Sequence, residues 1–502
     1  MKKQAKGIIA LSALLAAMLG GGYAYMKFAP EKDDGSSSMV LLATQAAGQG
    51  TVLVSDNGAE GVVKEAVVKN EKDEIKVVMK DGPDENGTGA TYTLKDYTDL
   101  NVNTSVVGTL VNNGNGMQAQ ALIAEDCTDL GKYGLADPQA EVEFTYESGT
   151  KVKFYIGDKV PSSDTVYVRV EGSNDVYSVN SSTVANYSKT NKELIERTIL
   201  KKPSDDEYPI IKSLRIERRD MDEDMLIEYD EAGQDAHSGG TSASHIMVEP
   251  VESYLAVEKS TDITNGMFGL TSSGIYVLHC KEADIAEAGL SDPFCKVTME
   301  CDNGNTYVLL LSEIFTDESG SKCSYGMMEG GNVIYTLSVD DAKWLTVQPI
   351  DICSRLLITN YVWNITDLSV SGGGGSYDFN IALKEGDKMP ESPKADDFIV
   401  RRNGVEFDTE RYRTFYSFLA STNAEEFAVG VPVPQGEPTA SIKIADSYSG
   451  KTTTYDFYDD TVLRSLIVVN GESKYYCTKS YVKTLIDNIK RIDTGEDYIR
   501  TW

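Results

Sequence analysis

The chain repeats part of itself at a spacing of 155 positions. Shifted by that distance, residues 129–158 fall on residues 284–313 without a gap, and seven of the thirty positions are identical. Both copies contain the pattern Gly-Leu-x-Asp-Pro, and in both a Gly follows the Pro by eleven residues. A third, weaker copy starts at Pro438, with Gly450 twelve residues on. Self-similarity of this kind is typical of duplicated units, so we expect tandem copies of one unit.

Apolar and polar residues alternate with period two in the repeated segments and their flanks, which is typical of antiparallel hairpins. Short helical candidates stand between the hairpins, among them residues 103–113, 338–347 and 479–492. The glycine-rich residues 371–376 are predicted to turn a hairpin. We predict an α+β fold with three tandem repeat units, each a mostly antiparallel β-sheet with short helices, after one N-terminal transmembrane helix. The predicted boundaries are 1–38 for the signal anchor and linker, 39–200 for repeat unit 1, 201–360 for repeat unit 2 and 361–502 for repeat unit 3.

The N-terminus predicts a membrane anchor. Three lysines within the first six residues precede an uncharged run over residues 7–26. Twenty helical residues span about 30 Å, which is the thickness of a bilayer core. Because a basic flank stays in the cytoplasm, the bulk of the chain is predicted to lie on the extracytoplasmic side of the cell membrane as a single-pass protein. The alternative is a cleaved signal peptide, with Gly22 and Ala24 as small residues before the cut.

The charge of the chain argues against several classes of partner. Its 78 acidic and 47 basic residues give a net charge of −31, whereas nucleic-acid binding needs a basic face. The same charge disfavours docking on anionic lipid headgroups by electrostatics alone. No Gly-x-Ser-x-Gly elbow, P-loop or dinucleotide fingerprint occurs in the sequence, so we predict a protein that is not an enzyme and uses no cofactor.

An acidic stretch offers a calcium-binding alternative. The spacing of its carboxylates matches positions 1, 3, 5 and 12 of a calcium-binding loop, which are occupied by Asp220, Asp222, Asp224 and Glu231. Position 6, where the sharp turn of such a loop needs Gly, holds Met225. A charged tip between two strands explains the same residues, and we prefer that interpretation.

The remaining candidate ligands are sparse. His237 and His245 flank a loop without a third ligand at a useful spacing, so a solvated loop is preferred to a metal site. His279, in an apolar run, is predicted to be a semi-buried strand residue. The seven cysteines contain no Cys-x-x-Cys pair. Cys295 and Cys301 are an even number of positions apart, so on one predicted strand they point to the same face, as small core residues would. Four aromatic residues could form a glycan-stacking surface, although aromatic residues at such spacings are more often core: Trp344, Trp363, Tyr412 and Tyr416. No catalytic, cofactor or metal residue is retained.

One stretch resembles a known family. Residues 129–159, DLGKYGLADPQAEVEFTYESGTKVKFYIGDK, followed by TVYVRVEGSNDVYSV at residues 165–179, resemble the bacterial domain of unknown function 4340. Members of that family are typically membrane-anchored and extracytoplasmic, and are often encoded beside ABC-type export systems related to gliding-motility transporters. The resemblance implies an accessory subunit and brings no catalytic residues.

Two functions are therefore expected. The first is a membrane-anchored extracytoplasmic interaction or substrate-handling subunit, accessory to an ABC-type transport system. Its partners would be membrane lipid, through the N-terminal helix, and ABC transporter subunits. The alternative is a binding module for an envelope polymer or extracellular ligand, independent of a transporter.

Overall fold

The computed structural model describes residues 47–54, 61–83, 89–231, 243–386 and 388–502. The predicted transmembrane helix within residues 1–38 lies outside the described residues. None of the helices in the described part of the chain is both long enough and apolar enough to cross a bilayer.

The described strands form one two-stranded sheet and three large sheets of eight, ten and nine strands. The strands up to residue 180 are β1 Val52–Val54, β2 Val63–Asn70, β3 Glu74–Asp81, β4 Thr91–Leu94, β5 Met117–Gln118, β6 Ala121–Ala124, β7 Ala140–Tyr146, β8 Lys151–Lys159, β9 Thr165–Val170 and β10 Val176–Asn180. The second large sheet contains β11 Ile211–Arg218, β12 Met225–Tyr229, β13 His245–Glu249, β14 Ser253–Tyr254, β15 Gly274–Leu278, β16 Cys295–Cys301, β17 Thr306–Leu311, β18 Phe315–Thr316, β19 Lys322–Met328 and β20 Val333–Ser338. The third contains β21 Ile365–Gly372, β22 Gly375–Leu383, β23 Phe398–Arg402, β24 Val405–Phe407, β25 Glu426–Phe427, β26 Ala440–Asp446, β27 Thr452–Asp459, β28 Arg464–Val469 and β29 Glu472–Thr478.

Helices are few and mostly short. Those of the described residues are α1 Thr104–Asn112, α2 Ser181–Val184, α3 Asn191–Leu194, α4 Val257–Thr264, α5 Glu282–Glu287, α6 Pro349–Ile352, α7 Thr409–Leu419 and α8 Lys479–Thr494. The predicted α+β class with mostly antiparallel sheets is therefore confirmed. The helix predicted over residues 338–347 is wrong, because that segment contains only a 3-10 turn, Lys343–Leu345. The Ser338 hydroxyl accepts a hydrogen bond from the Asp340 backbone N–H, and such local bonds compete with helix formation.

The three large sheets share one strand order. In each, the first strand of the opening hairpin pairs with a strand that comes much later, so the central pairs are β2 with β7, β11 with β16 and β21 with β26. Outward from these pairs the succession is the same, except that the second and third sheets add one strand, β14 or β24, on the side of the opening hairpin. On the other side each sheet ends in a short strand, β6, β15 or β25, that joins the last hairpin. The segments β7 and β16 are 155 positions apart, so the sequence repeat corresponds to a repeat of topology. The predicted hairpin turn at residues 371–376 is confirmed, since Gly372 pairs with Gly375.

Each large sheet buries one whole face and part of the other. On β7, Val142, Phe144 and Tyr146 are buried while Glu141 and Glu143 point outward, as alternation along a strand requires. The buried faces form a main apolar cluster for each sheet. A small satellite cluster covers part of the opposite face. The buried members of the three satellite clusters are Tyr133, Leu135 and Val176 in the first sheet, Ala288, Leu290, Met327 and Ile334 in the second, and Ala428, Leu466, Val468 and Tyr476 in the third.

The repeated Gly-Leu-x-Asp-Pro phrase builds two of these satellite clusters. Gly134 and Gly289 have φ values of +67° and +72°, the left-handed region that ends a helical turn most readily at Gly. Leu135 and Leu290, which follow them, are 3% and 1% exposed. The phrase therefore closes a helical turn and places a leucine against the outer face of its sheet.

The first and second sheets contact each other through both polar and apolar side chains. The carboxylate of Asp99 accepts hydrogen bonds from His279 Nε2 and from Asn332 Nδ2, both at 2.8 Å. These bonds lower the pKa of Asp99 below its usual value, the Asn332 bond most. Ile275 and Leu278 of β15 pack against the main cluster of the first sheet. Because β15 is an edge strand of the second sheet, its side chains bind the two sheets together.

Candidate functional site

A small cleft lies between the second and third sheets. It has a volume of about 190 Å³ and is lined by β14, by residues 354–357 and by the ends of the third sheet. Ligand pockets are usually about 300–1,000 Å³. The cleft can therefore hold a group the size of one side chain, not a whole cofactor.

Tyrosine hydroxyls fix the walls of the cleft. Tyr475 donates a hydrogen bond to the Glu252 carbonyl oxygen at 3.1 Å and accepts one from Ser253 Oγ at 2.8 Å. Tyr455 donates to the Leu357 carbonyl oxygen at 2.8 Å. Burial raises the pKa of Tyr475 to about 12 and raises that of Tyr455 as well. Both phenols are thus neutral near pH 7, and the bonds of Tyr475 join the third sheet to β14 of the second.

The lining of the cleft includes an apolar side chain and one cation. Leu356 is 50% exposed, and Lys474 pairs with Glu472 at 3.7 Å. Of the described residues that line the cleft, none is a histidine, aspartate or cysteine. The other polar residues that line the cleft include Glu252, Ser253 and Ser354.

The acidic stretch is a charged hairpin tip between β11 and β12, as preferred from the sequence. Three of its carboxylates pair with basic side chains of β11: Asp220 with Arg218 at 2.5 Å, Asp224 with Arg215 at 3.1 Å and Glu231 with Lys212 at 2.5 Å. The three basic partners hold the carboxylates apart along the strand. Within the described residues, no group of three or more His, Cys, Asp or Glu side chains is placed to hold a metal ion.

The histidines differ from their predicted settings. His245 is buried in β13, where Nε2 donates to the Ile211 carbonyl oxygen at 2.8 Å and Nδ1 accepts from Ser244 Oγ at 2.9 Å. The solvated-loop prediction is therefore wrong for His245, and burial lowers its pKa. His237 lies outside the described residues. His279 is exposed just beyond β15, with a φ of +50°, so the semi-buried strand prediction is wrong for it.

The other sequence candidates are core residues. Trp344, Tyr412 and Tyr416 are at most 5% exposed, and Trp363 stacks on Phe398 with ring centroids 4.4 Å apart. A glycan-stacking surface is not formed by these four side chains. All seven cysteines are unpaired thiols and five are buried. Cys295 and Cys301 point into the main cluster of the second sheet, as their parity predicted.

The motif that carries the family resemblance is a packing device. A Cβ added at Gly157 would lie 2.2 Å from the Tyr133 carbonyl oxygen and 2.9 Å from Leu135 Cγ. A Cβ added at Gly134 would lie 2.5 Å from the Asp158 carboxyl carbon. The Tyr-Gly-Leu and Ile-Gly-Asp segments, which are 23 residues apart at their glycines, therefore pack directly on each other.

Comparison with known families agrees with this motif. Residues 93–231 match the family model described as Domain of unknown function (DUF4340). The resemblance is thereby confirmed over that range. No curated protein and no solved structure matches the chain. The DUF4340 match begins within β4 and ends just after β12. It thus includes most of the first sheet and the opening hairpin of the second.

Proposed function

We propose that the protein is a membrane-anchored extracytoplasmic interaction or substrate-handling subunit, accessory to an ABC-type transport system, with three tandem repeat units after an N-terminal transmembrane helix. The observation that carries the proposal is the use of one strand order three times within one chain. Repeated units that contact their neighbours give a continuous surface suited to binding at several points. The apolar run at residues 7–26 is the proposed anchor, and the resemblance to the DUF4340 family implies a membrane-anchored protein.

The outward face of the first sheet carries paired charges. On the first sheet, Lys153 pairs with Glu141 at 2.8 Å and Lys151 pairs with Glu143 at 2.7 Å. Exposed pairs of this kind add little stability, but they keep a broad strand surface soluble. Contacts with a partner would then come from the loops and hairpin tips at the sheet ends.

Co-purification tests this proposal. The full chain is isolated from detergent-solubilised native membranes and compared with a chain that lacks residues 1–38. We expect an ABC transporter membrane subunit to accompany the full chain in stoichiometric amount, and to be lost with the shortened chain because the tether no longer concentrates the two proteins. The proposal fails if no transporter subunit accompanies the full chain while envelope glycans bind it.

A second candidate is a binding module that works without a transporter. The tyrosine-lined cleft favours it, because its lining includes the half-exposed Leu356 and the basic Lys474. Binding of solubilised envelope polymer fragments to the full chain, weakened at least tenfold in a Lys474→Ala variant, would support this candidate. Unchanged binding in that variant would place the ligand elsewhere.

A further inference from the structure

The loop between β27 and β28 presents two adjacent aliphatic side chains to solvent. Val462 is 87% exposed and Leu463 is 78% exposed, the highest values among the large hydrophobic residues of the described chain. Residues 460–463 are called the third-sheet tip below. Contiguous exposed apolar surface on a soluble protein often marks an interaction site.

A charged residue at the base of the tip contacts the rest of the sheet. The Arg464 guanidinium pairs with Asp460 at 2.7 Å and with Glu426 at 2.8 Å. It also lies 3.9 Å from the centroid of the Tyr476 ring. One side chain thus connects the tip to two neighbouring strands, β25 and β29.

Backbone bonds complete the support. Leu463 accepts a hydrogen bond through its carbonyl oxygen from the Lys479 N–H at 2.9 Å. Thr461 Oγ1 accepts from the Leu463 N–H at 3.3 Å, and Lys479 pairs with Asp459 at 3.1 Å. An ordered apolar projection loses little conformational entropy on binding, so the tip is preorganised for contact.

The fold itself does not require an apolar tip. The corresponding turn of the first sheet, between β8 and β9, reads Val-Pro-Ser-Ser-Asp over residues 160–164. Its Ser163 hydroxyl bonds to Thr165 Oγ1 at 2.9 Å. The same topology therefore tolerates a polar turn. Of the two corresponding turns, only the one in the third sheet presents two adjacent exposed aliphatic side chains.

We propose that the third-sheet tip inserts into an apolar pocket of a protein partner, and that basic side chains border this pocket. This deepens the proposed function, on which it rests, by naming the contact surface. Charge decides the class of partner. Three carboxylates, Asp459, Asp460 and Glu426, lie at the tip or its base against two basic groups, Arg464 and Lys479, and the whole chain carries −31. An anionic bilayer would repel this surface, whereas a basic pocket border complements it.

Site-specific photocrosslinking tests the inference. A benzophenone amino acid replaces Val462 in the full chain in native membranes, and a matched chain carries it at Ser162 in the first-sheet turn. We expect a crosslink from position 462 to one discrete membrane protein, mapped by mass spectrometry to an apolar segment flanked by Lys or Arg. Adding Leu463→Asp should lower the yield at least tenfold. Val405→Asp, at a residue that is 69% exposed on β24, should leave it unchanged.

Other outcomes overturn the inference. Crosslinks to lipid alone, to a second copy of the chain, or to the same proteins from position 162 would each do so, as would an unchanged yield with Leu463→Asp. A thermal melt of the Leu463→Asp chain, expected to equal the parent, verifies that it is folded. If a transporter subunit still co-purifies with the Leu463→Asp chain, the tip inference fails and the proposed function stands. If none co-purifies with the parent chain, the proposed function itself fails.

Discussion

Gly157→Ala tests whether the family motif is a packing contact. Gly157 lies in β8 under the Tyr-Gly-Leu segment, and its φ is not in the left-handed region. The substitution therefore adds one methyl group without backbone strain. That methyl group would lie 2.2 Å from the Tyr133 carbonyl oxygen, and real contacts of this kind essentially never fall below 3.0 Å. The segment must retreat by at least 0.8 Å, which pulls Leu135 away from Val176 in the satellite cluster.

The expected cost follows from this geometry. Overpacking a closely fitted site costs about 1–3 kcal/mol. When the free energy of local opening falls by this amount, the amides of the opened segment exchange with solvent roughly 5- to 150-fold faster. Hydrogen–deuterium exchange is the right assay, because a chain with several sheets need not unfold in two states. Peptides from β8 to β10 should lose protection, whereas peptides from β27 and β28 should not change.

A matched substitution provides the control. Gly108 lies in α1 with nothing within 4 Å of an added Cβ, so Gly108→Ala should stabilise its helix by about 0.5–1 kcal/mol. The two Gly→Ala changes thus have opposite predicted signs. If Gly157→Ala leaves protection of β8 to β10 as in the parent chain, the packing account of the motif is refuted.

Three further predictions concern buried polar groups and thiols. Asp220→Ala should lower the free energy of unfolding by about 1–3 kcal/mol, because the Arg218 side chain is fully buried and would lose its carboxylate partner. The control Asp222→Ala should change it by no more than about 0.5 kcal/mol. Melting curves measure both effects, and a shift of the melting temperature on adding millimolar calcium would contradict the hairpin-tip interpretation. Burial places the folded pKa of His245 below the ordinary 6.5, so its contribution to stability is present above pH 6.5 and is lost as the pH falls towards the folded pKa. The difference in melting temperature between pH 7.5 and pH 5.5 should therefore be smaller in His245→Gln than in the parent chain. An equal difference in the two chains would contradict the assignment. Since five of the seven cysteines are buried, a thiol reagent should label at most two in the native chain and all seven in denaturant; a native count above two would contradict the packing.

Local patterns in the sequence predict much of this fold. The period-two alternation of β7 and the 155-position shift to β16 appear directly in the structure, because both depend on residues close together in the chain. Helix α8 was predictable for the same reason. Its buried residues Tyr481, Leu485 and Ile489 recur at helical spacing, and the Thr478 side chain caps its N-terminus.

Contacts between the sheets could not be predicted in this way. His279 and Asp99 are 180 positions apart, and no local pattern pairs them. The apolar run before His279 indicated burial, but the strand ends at Leu278 and the histidine turns out to solvent. Likewise Ser253 and Tyr475 meet across the cleft from 222 positions apart. Residues that meet only through tertiary packing carry no periodic signal of their own.

The central strand pair of each sheet has a consequence for how the chain acquires its structure during synthesis. Val68 pairs with Val142, Ile216 with Val297 and Leu368 with Ile444, so each large sheet is closed at its middle by residues 74–81 positions apart. An opening hairpin leaves the ribosome, or a translocation channel, with one long edge bare until that later strand arrives. Bare edges of this kind pair readily with other chains, and closure across such distances is slow. The repeated architecture therefore exposes the same vulnerable intermediate three times in succession, and a delay at any of these points favours aggregation over folding.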